Sequence, residues 1–188
     1  MTTLPLVAAA GRWCWRASSS AVTAQAHSED GRHDFDFYVG RWRLHERRLL
    51  RPLSGSNQWV EFTGTSLDHT MWNGRANVDE YEADGPSGHV EGMTVRLYDP
   101  ATREWSIYLA NGKGSTFSAP PTIGRFKDGR GEFYDHQQIN GKAVLVRMVW
   151  QVRSATQCHW EQAFSTDDGR SWETNWITDS TRMEGPAL

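Results

Sequence analysis

The sequence predicts an all-β protein, a single antiparallel up-and-down β-barrel of eight to ten strands. Three observations predict it. Segments in which apolar and polar residues alternate recur from position 33 almost to the C-terminus, turn chemistry separates them, and no helix-period stretch of ten residues or more interrupts them. A parallel sheet with crossover helices is thereby excluded, and a two-sheet sandwich is the rival arrangement.

The elements follow in order. Asp34-Phe35-Asp36-Phe37-Tyr38 reads as a short 3₁₀ or helical turn leading to Gly40, where the chain turns inward, and Trp42 supplies an indole that plugs one end. Strand-like segments then span 41–50, 58–68, 76–82, 90–98, 104–111, 121–127, 131–138, 143–153, 157–165 and 171–181. Asp99-Pro100-Ala101-Thr102 presets a type I turn through its proline, and Asn140-Gly141 suits a primed hairpin turn because both residues tolerate positive φ. Asp84-Gly85-Pro86-Ser87-Gly88 and Asp128-Gly129-Arg130-Gly131 are equally strong breaks. The run from Ser165 to Trp172 matches the S-x-D-x-G-x-x-W Asp-box hairpin of sialidase propellers, but it occurs once, and a propeller needs a repeated blade. It reads as a turn in which Asp167 accepts hydrogen bonds and Trp172 caps the hairpin.

A chain of 188 residues is long enough for one domain with a substantial core. Ten Trp, seven Phe and five Tyr supply much of the apolar area. A net charge of −3 lacks the basic field that binds polyanions, so nucleic acid is not expected as a partner. Cys14 and Cys158 give no disulfide framework, and no stretch approaches the ~18 apolar residues of a membrane helix, so a soluble folded part is expected. Residues 1–32 differ in composition from the rest and read as a disordered extension or a leader preceding a barrel domain over 33–183. Ala24-Gln25-Ala26 has the form of a signal-peptidase site, but Arg12 and Arg16 interrupt the leader and no charge precedes its apolar run. Localisation stays open, with the balance towards the cytoplasm.

No nucleophile elbow, phosphate-cradling loop, dinucleotide fingerprint or H-E-x-x-H pair is present. The seven histidines, at 27, 33, 45, 69, 89, 136 and 159, have no short metal-ligand spacing, and no metal is expected. Arg41, Arg43, Arg47, Arg48 and Arg51 cluster on the first strand around Glu46 and read as a solvated strand edge, with an anion site the alternative.

Alternation gives each strand two faces, and over 90–98 Met93, Val95 and Leu97 oppose Thr94, Arg96 and Tyr98. Aromatic residues mixed with a few charges are typical of pockets, so the mixed face is assigned to the lumen. The candidate ligand-binding residues are then Asn77, Asp79, Tyr81, Arg96, Tyr98, Tyr108, Arg147, Glu161 and Asn175. Arginine would fix an anionic group, tyrosines would orient it, and rings would bury an apolar or aromatic body. The alternative is a cofactor-free isomerase, cyclase or lyase in which Asp79 or Glu161 moves a proton while an arginine stabilises an enolate. A third class is a homodimer whose exposed rings form an interface.

The motif from His33 to Trp42 (His-Asp-Phe-Asp-Phe-Tyr-Val-Gly-Arg-Trp) and the closing run Trp160-Glu161-Gln162-Ala163-Phe164-Ser165 through Trp172-Glu173-Thr174-Asn175-Trp176 resemble a widespread bacterial family related to the calycins. That group includes lipocalins, fatty-acid-binding proteins and nitrobindins. The likeness spans about 33–182 and implies the fold and no settled activity. It implies that Trp42 packs across the barrel base beneath a basic residue, where Arg182 falls, as a structural pair. Nitrobindins hold haem, but their glycine-rich sequence is replaced here by Arg43-Leu44-His45-Glu46-Arg47. No cofactor is therefore expected, with His159 the residue to test as an axial ligand.

Overall fold

The computed structural model describes residues 30–114 and 116–184. Residues 1–29 of the segment read as a leader, with Cys14 and the Ala24-Gln25-Ala26 motif, lie outside the described residues. Ten strands follow two 3₁₀ turns, Gly31–His33 and Asp36–Tyr38. They are β1 (Gly40–Leu49), β2 (Trp59–Met71), β3 (Ala76–Gly85), β4 (Gly88–Asp99), β5 (Glu104–Asn111), β6 (Thr122–Lys127), β7 (Arg130–Ile139), β8 (Lys142–Ser154), β9 (Gln157–Ser165) and β10 (Glu173–Arg182). Each pairs antiparallel with its sequence neighbours, and β1 pairs with β10, so the sheet closes on itself. The barrel is the predicted architecture and the sandwich is excluded. Closure also corrects the reading of the first strand as an edge, because β1 has a partner on each side.

Turn chemistry sets this register. Ile139 pairs with Lys142 across Asn140 (φ 52°) and Gly141 (φ 76°), the two positive values a primed turn requires. Asp99 pairs with Glu104 across the proline turn, and the Asp99 side chain accepts from the Ala101 N–H at 2.8 Å. The Asp-box hairpin is held as read. Asp167 accepts from Ser171 N–H and from the hydroxyls of Ser165 and Ser171, and these donors hold its carboxyl at about 2.

The core occupies one end of the cylinder. Phe35, carried inward by the 3₁₀ turns, packs edge-on to Trp105, Phe126 and Trp150 at centroid distances of 5.0, 5.0 and 5.7 Å. Tyr38 stacks on Trp42 at 5.0 Å and its carbonyl accepts the indole N–H. Arg182, directly across from Trp42 in the β1–β10 register, sits 4.4 Å above the indole and donates to the carbonyls of Val39 and Phe37. Gly40 (φ 110°) makes the inward turn possible, since an added Cβ would lie 3.1 Å from Arg182 Nη1. The plug begins before position 33, because the Gly31 N–H donates to the Tyr98 hydroxyl and the Gly31 carbonyl accepts from Trp105 Nε1.

The wall is uneven. β5 pairs with β6 only from Trp105 to Ile107, against Gly124 to Thr122. Beyond that, the Leu109 backbone is held by Ser118, which accepts through its hydroxyl and donates through its N–H.

Candidate functional site

Above the plug the barrel encloses a cavity of about 540 Å³ that reaches the opposite end near Glu91, Asn111 and Phe117. Cross-strand pairing places its walls, because partners in register share a face. Going from plug to mouth along the β1–β10 seam, Trp42 faces Arg182, Leu44 faces Ser180, Glu46 faces Thr178 and Arg48 faces Trp176. The last three pairs line the cavity. Tyr81 stands opposite Gly92, whose Cβ position lies 2.8 Å from the Tyr81 ring, so a larger residue there would displace the phenol.

Two charged networks face inward. The deeper one joins Asp68, Asn77, Asp79 and Arg96, all buried. Arg96 Nη1 bonds Asp68 at 3.0 Å and also donates to Asn77, and its Nη2 pairs with Asp79 at 3.1 Å. Its guanidinium lies 4.9 Å from the Phe35 ring and 5.2 Å from Trp150. Two carboxylates share one cation, and Asp68 faces Asp79 in register. Burial pushes Asp68 up to about 7, and Asp79 adds to that against the opposing pull of Arg96.

The second network sits nearer the mouth. Glu46, 1% exposed, accepts on Oε2 from Arg48 Nε at 3.1 Å, Arg48 Nη2 at 2.9 Å and Trp176 Nε1 at 3.2 Å. Burial raises its carboxyl despite Arg48. The Arg48 guanidinium is sandwiched between Trp176, 3.9 Å away, and Phe62, 4.8 Å away, and also donates to the Tyr81 hydroxyl. Burial pushes that phenol up to about 12, so it remains protonated at neutral pH.

The mixed face of β4 is the inner one, as expected. Asp79, Tyr81 and Arg96 line the cavity. Asn77 and Tyr98 point inward but below it, in the deeper network and in the plug. Three residues assigned to the lumen belong on the other face. Tyr108 pairs with Val95 and alternates out between the lining residues Ile107 and Leu109. Arg147 lies between the inward-facing Val146 and Met148, stacks over Trp172 at 4.3 Å and pairs at 3.8 Å with Glu161. Glu161 alternates out between Trp160 and Gln162, which line the cavity. Asn175 falls at the bulge between Thr174 and Trp176, where it is buried and accepts from the lining Gln162 at 2.8 Å. His159 also faces outward, bonded through Nδ1 to Asp179 at 2.8 Å, so it presents no nitrogen to the lumen. No group of three or more potential metal ligands occurs among the described residues.

Sequence reasoning placed Glu46 and Arg48 on a solvated strand edge and left Trp176 out of the lumen. The signal was parity, because positions 44, 46 and 48 share a face with Trp42.

The fold and cavity define a calycin-like ten-stranded barrel with a polar floor and a ring-lined upper lumen. No known family model matches the chain, and no curated protein matches its sequence. Solved structures match its shape. The S-type phycobiliprotein lyase CPES from Guillardia theta superposes with a TM-score of 0.55 at 12% identity, covering 81% of this chain and 92% of that one. Rv2717c from M. tuberculosis superposes with a TM-score of 0.51 at 9% identity, covering 80% of this chain and 98% of the other. A de novo fluorescence-activating β-barrel gives 0.42 at 14% identity, covering 79% and 95%.

Proposed function

We propose that the barrel binds a small, largely apolar or aromatic molecule in its lumen. The observation that carries this reading is the cavity of about 540 Å³, within the range that holds small organic ligands, with walls that include Tyr81, Leu109, Trp160, Phe164 and Trp176. The barrel's resemblance in shape to a phycobiliprotein lyase is consistent with that use. The plug and the deeper network give the lumen a fixed floor, while ring faces supply contact area at small conformational cost. Native mass spectrometry of the purified protein tests the reading. A retained adduct of a few hundred daltons is expected, absent from a Leu109→Trp variant that fills the lumen; an adduct unaffected by that substitution would place the ligand elsewhere.

A second reading is a cofactor-free isomerase, cyclase or lyase in the same lumen. The buried Glu46 favours it, as a cavity-facing carboxyl raised by its surroundings and able to exchange a proton. Glu161, on the outer face, cannot fill that role.

A further inference from the structure

We infer that the lumen selects an aromatic anion, a conjugated ring system carrying a carboxylate, sulfonate or phenolate, with Arg48 receiving the charge; this inference rests on the ligand-binding reading above. Arg48 lines the cavity, and its side chain keeps 22% of its surface exposed. Its guanidinium is already oriented, clamped between Trp176 and Phe62. Glu46 takes Nε and Nη2, and Tyr81 accepts from Nη2 as well. The Nη1 group makes no hydrogen bond among the described residues and remains the guanidinium's donor for a ligand. An arginine fixed in this way has lost its side-chain freedom before binding, so an incoming anion meets a preorganised donor.

The partner carboxylate does not cancel this preference. Glu46 is 1% exposed whereas the Arg48 side chain keeps 22% of its surface, so a molecule in the lumen meets more of the cation than of the carboxylate. Tyr81, protonated well above neutrality, adds no negative charge beside it. The surroundings choose the body of the ligand. Trp160 stands edge-on to Trp176 at 5.1 Å, and Phe164 and Leu109 line the same cavity. A flat ring system can lie against those faces with its anionic group at Nη1. A small inorganic anion would leave the same rings uncovered.

Two probes with one skeleton test the assignment. 8-Anilinonaphthalene-1-sulfonate and the uncharged N-phenyl-1-naphthylamine differ by the sulfonate, and each is titrated by its fluorescence. The sulfonate is expected to bind about tenfold tighter, in line with a charge-assisted contact. Arg48→Met should abolish that preference, bringing the ratio of the two affinities to about one, with native circular dichroism reporting that the variant's barrel is intact. Equal affinities in the native protein, or a preference that survives Arg48→Met, would overturn the anion assignment and leave lumen binding standing. If Arg48→Met loses both probes, Arg48→Gln decides on the same criterion. Failure of both probes to bind the native protein, or binding unaffected by Leu109→Trp, would remove both the inference and the reading beneath it.

Discussion

The guanidinium of Arg182 lies 4.4 Å above the indole of Trp42, and the two residues are direct cross-strand partners where β1 and β10 close the barrel. The same arginine ties the seam to the plug through the carbonyls of Phe37 and Val39. One contact thus joins the first strand, the last strand and the 3₁₀ turns.

Trp42→Ala should cost about 3–5 kcal/mol in chemical denaturation, the usual range for emptying a buried aromatic site. A double-mutant cycle with Arg182→Met should return a coupling of about 0.5–2 kcal/mol. Ligand affinity of the folded fraction should hold, because Trp42 lies below the cavity and does not line it. Unchanged denaturation with lost binding would contradict this assignment.

Stability should fall as pH rises from about 4 to about 7. Burial raises Asp68 from 3.8 to about 7, so between those values the folded state binds a proton that the unfolded chain releases. The stabilisation is complete below the unfolded value and is lost as pH passes the folded one, with a slope of at most about 1.4 kcal/mol per pH unit. Glu46 and Asp135, also raised by burial, act in the same direction. Asp167, held at about 2, opposes them only as pH falls below its ordinary 3.8. Melting temperatures at pH 4.5 and 7.5 check the sign, and Asp68→Asn should narrow the gap.

Arg96→Met should destabilise by about 3–5 kcal/mol, because it leaves Asp68 and Asp79 buried without their cation. Adding Asp68→Asn and Asp79→Asn should recover much of that loss. A triple variant no better than the single one would show that guanidinium packing against Phe35 and Trp150, rather than charge, is what matters.

Leu109→Trp should lower the affinity of any lumen ligand at least tenfold, a loss of about 1.4 kcal/mol or more. Its circular dichroism should remain that of the native barrel. Isothermal titration against the neutral naphthylamine measures the effect, and undiminished binding would place the site outside the lumen.

The turns and the plug were legible because their signals are local. Asn140-Gly141 and the Asp99-Pro100 turn specify backbone angles within a few residues, and Gly40 with Trp42 marks the inward turn. Assigning faces across strands is harder, since an error of one residue reverses every side chain. Tyr108 shows this. The four-residue connection that pairs Asp99 with Glu104 sets Arg96 against Ile107, and Tyr108 accordingly faces out. Asn175 failed for another reason, because the bulge before Trp176 breaks the alternation that parity assumes. Arg48 was hidden by its company. Arg41, Arg43 and Arg47 are exposed on the outer face, and among them an inward arginine looked like one more solvated charge.

The short β5–β6 seam makes the cylinder unequal around its circumference. Past Ile107 the β5 wall loses its β6 ladder and is fastened to Ser118, beside Phe117 at the rim. Amide protons at Leu109 and Ser118 should therefore exchange with solvent sooner than those of the β1–β10 pair, and a bulky guest would pass most easily where the staves part on that side.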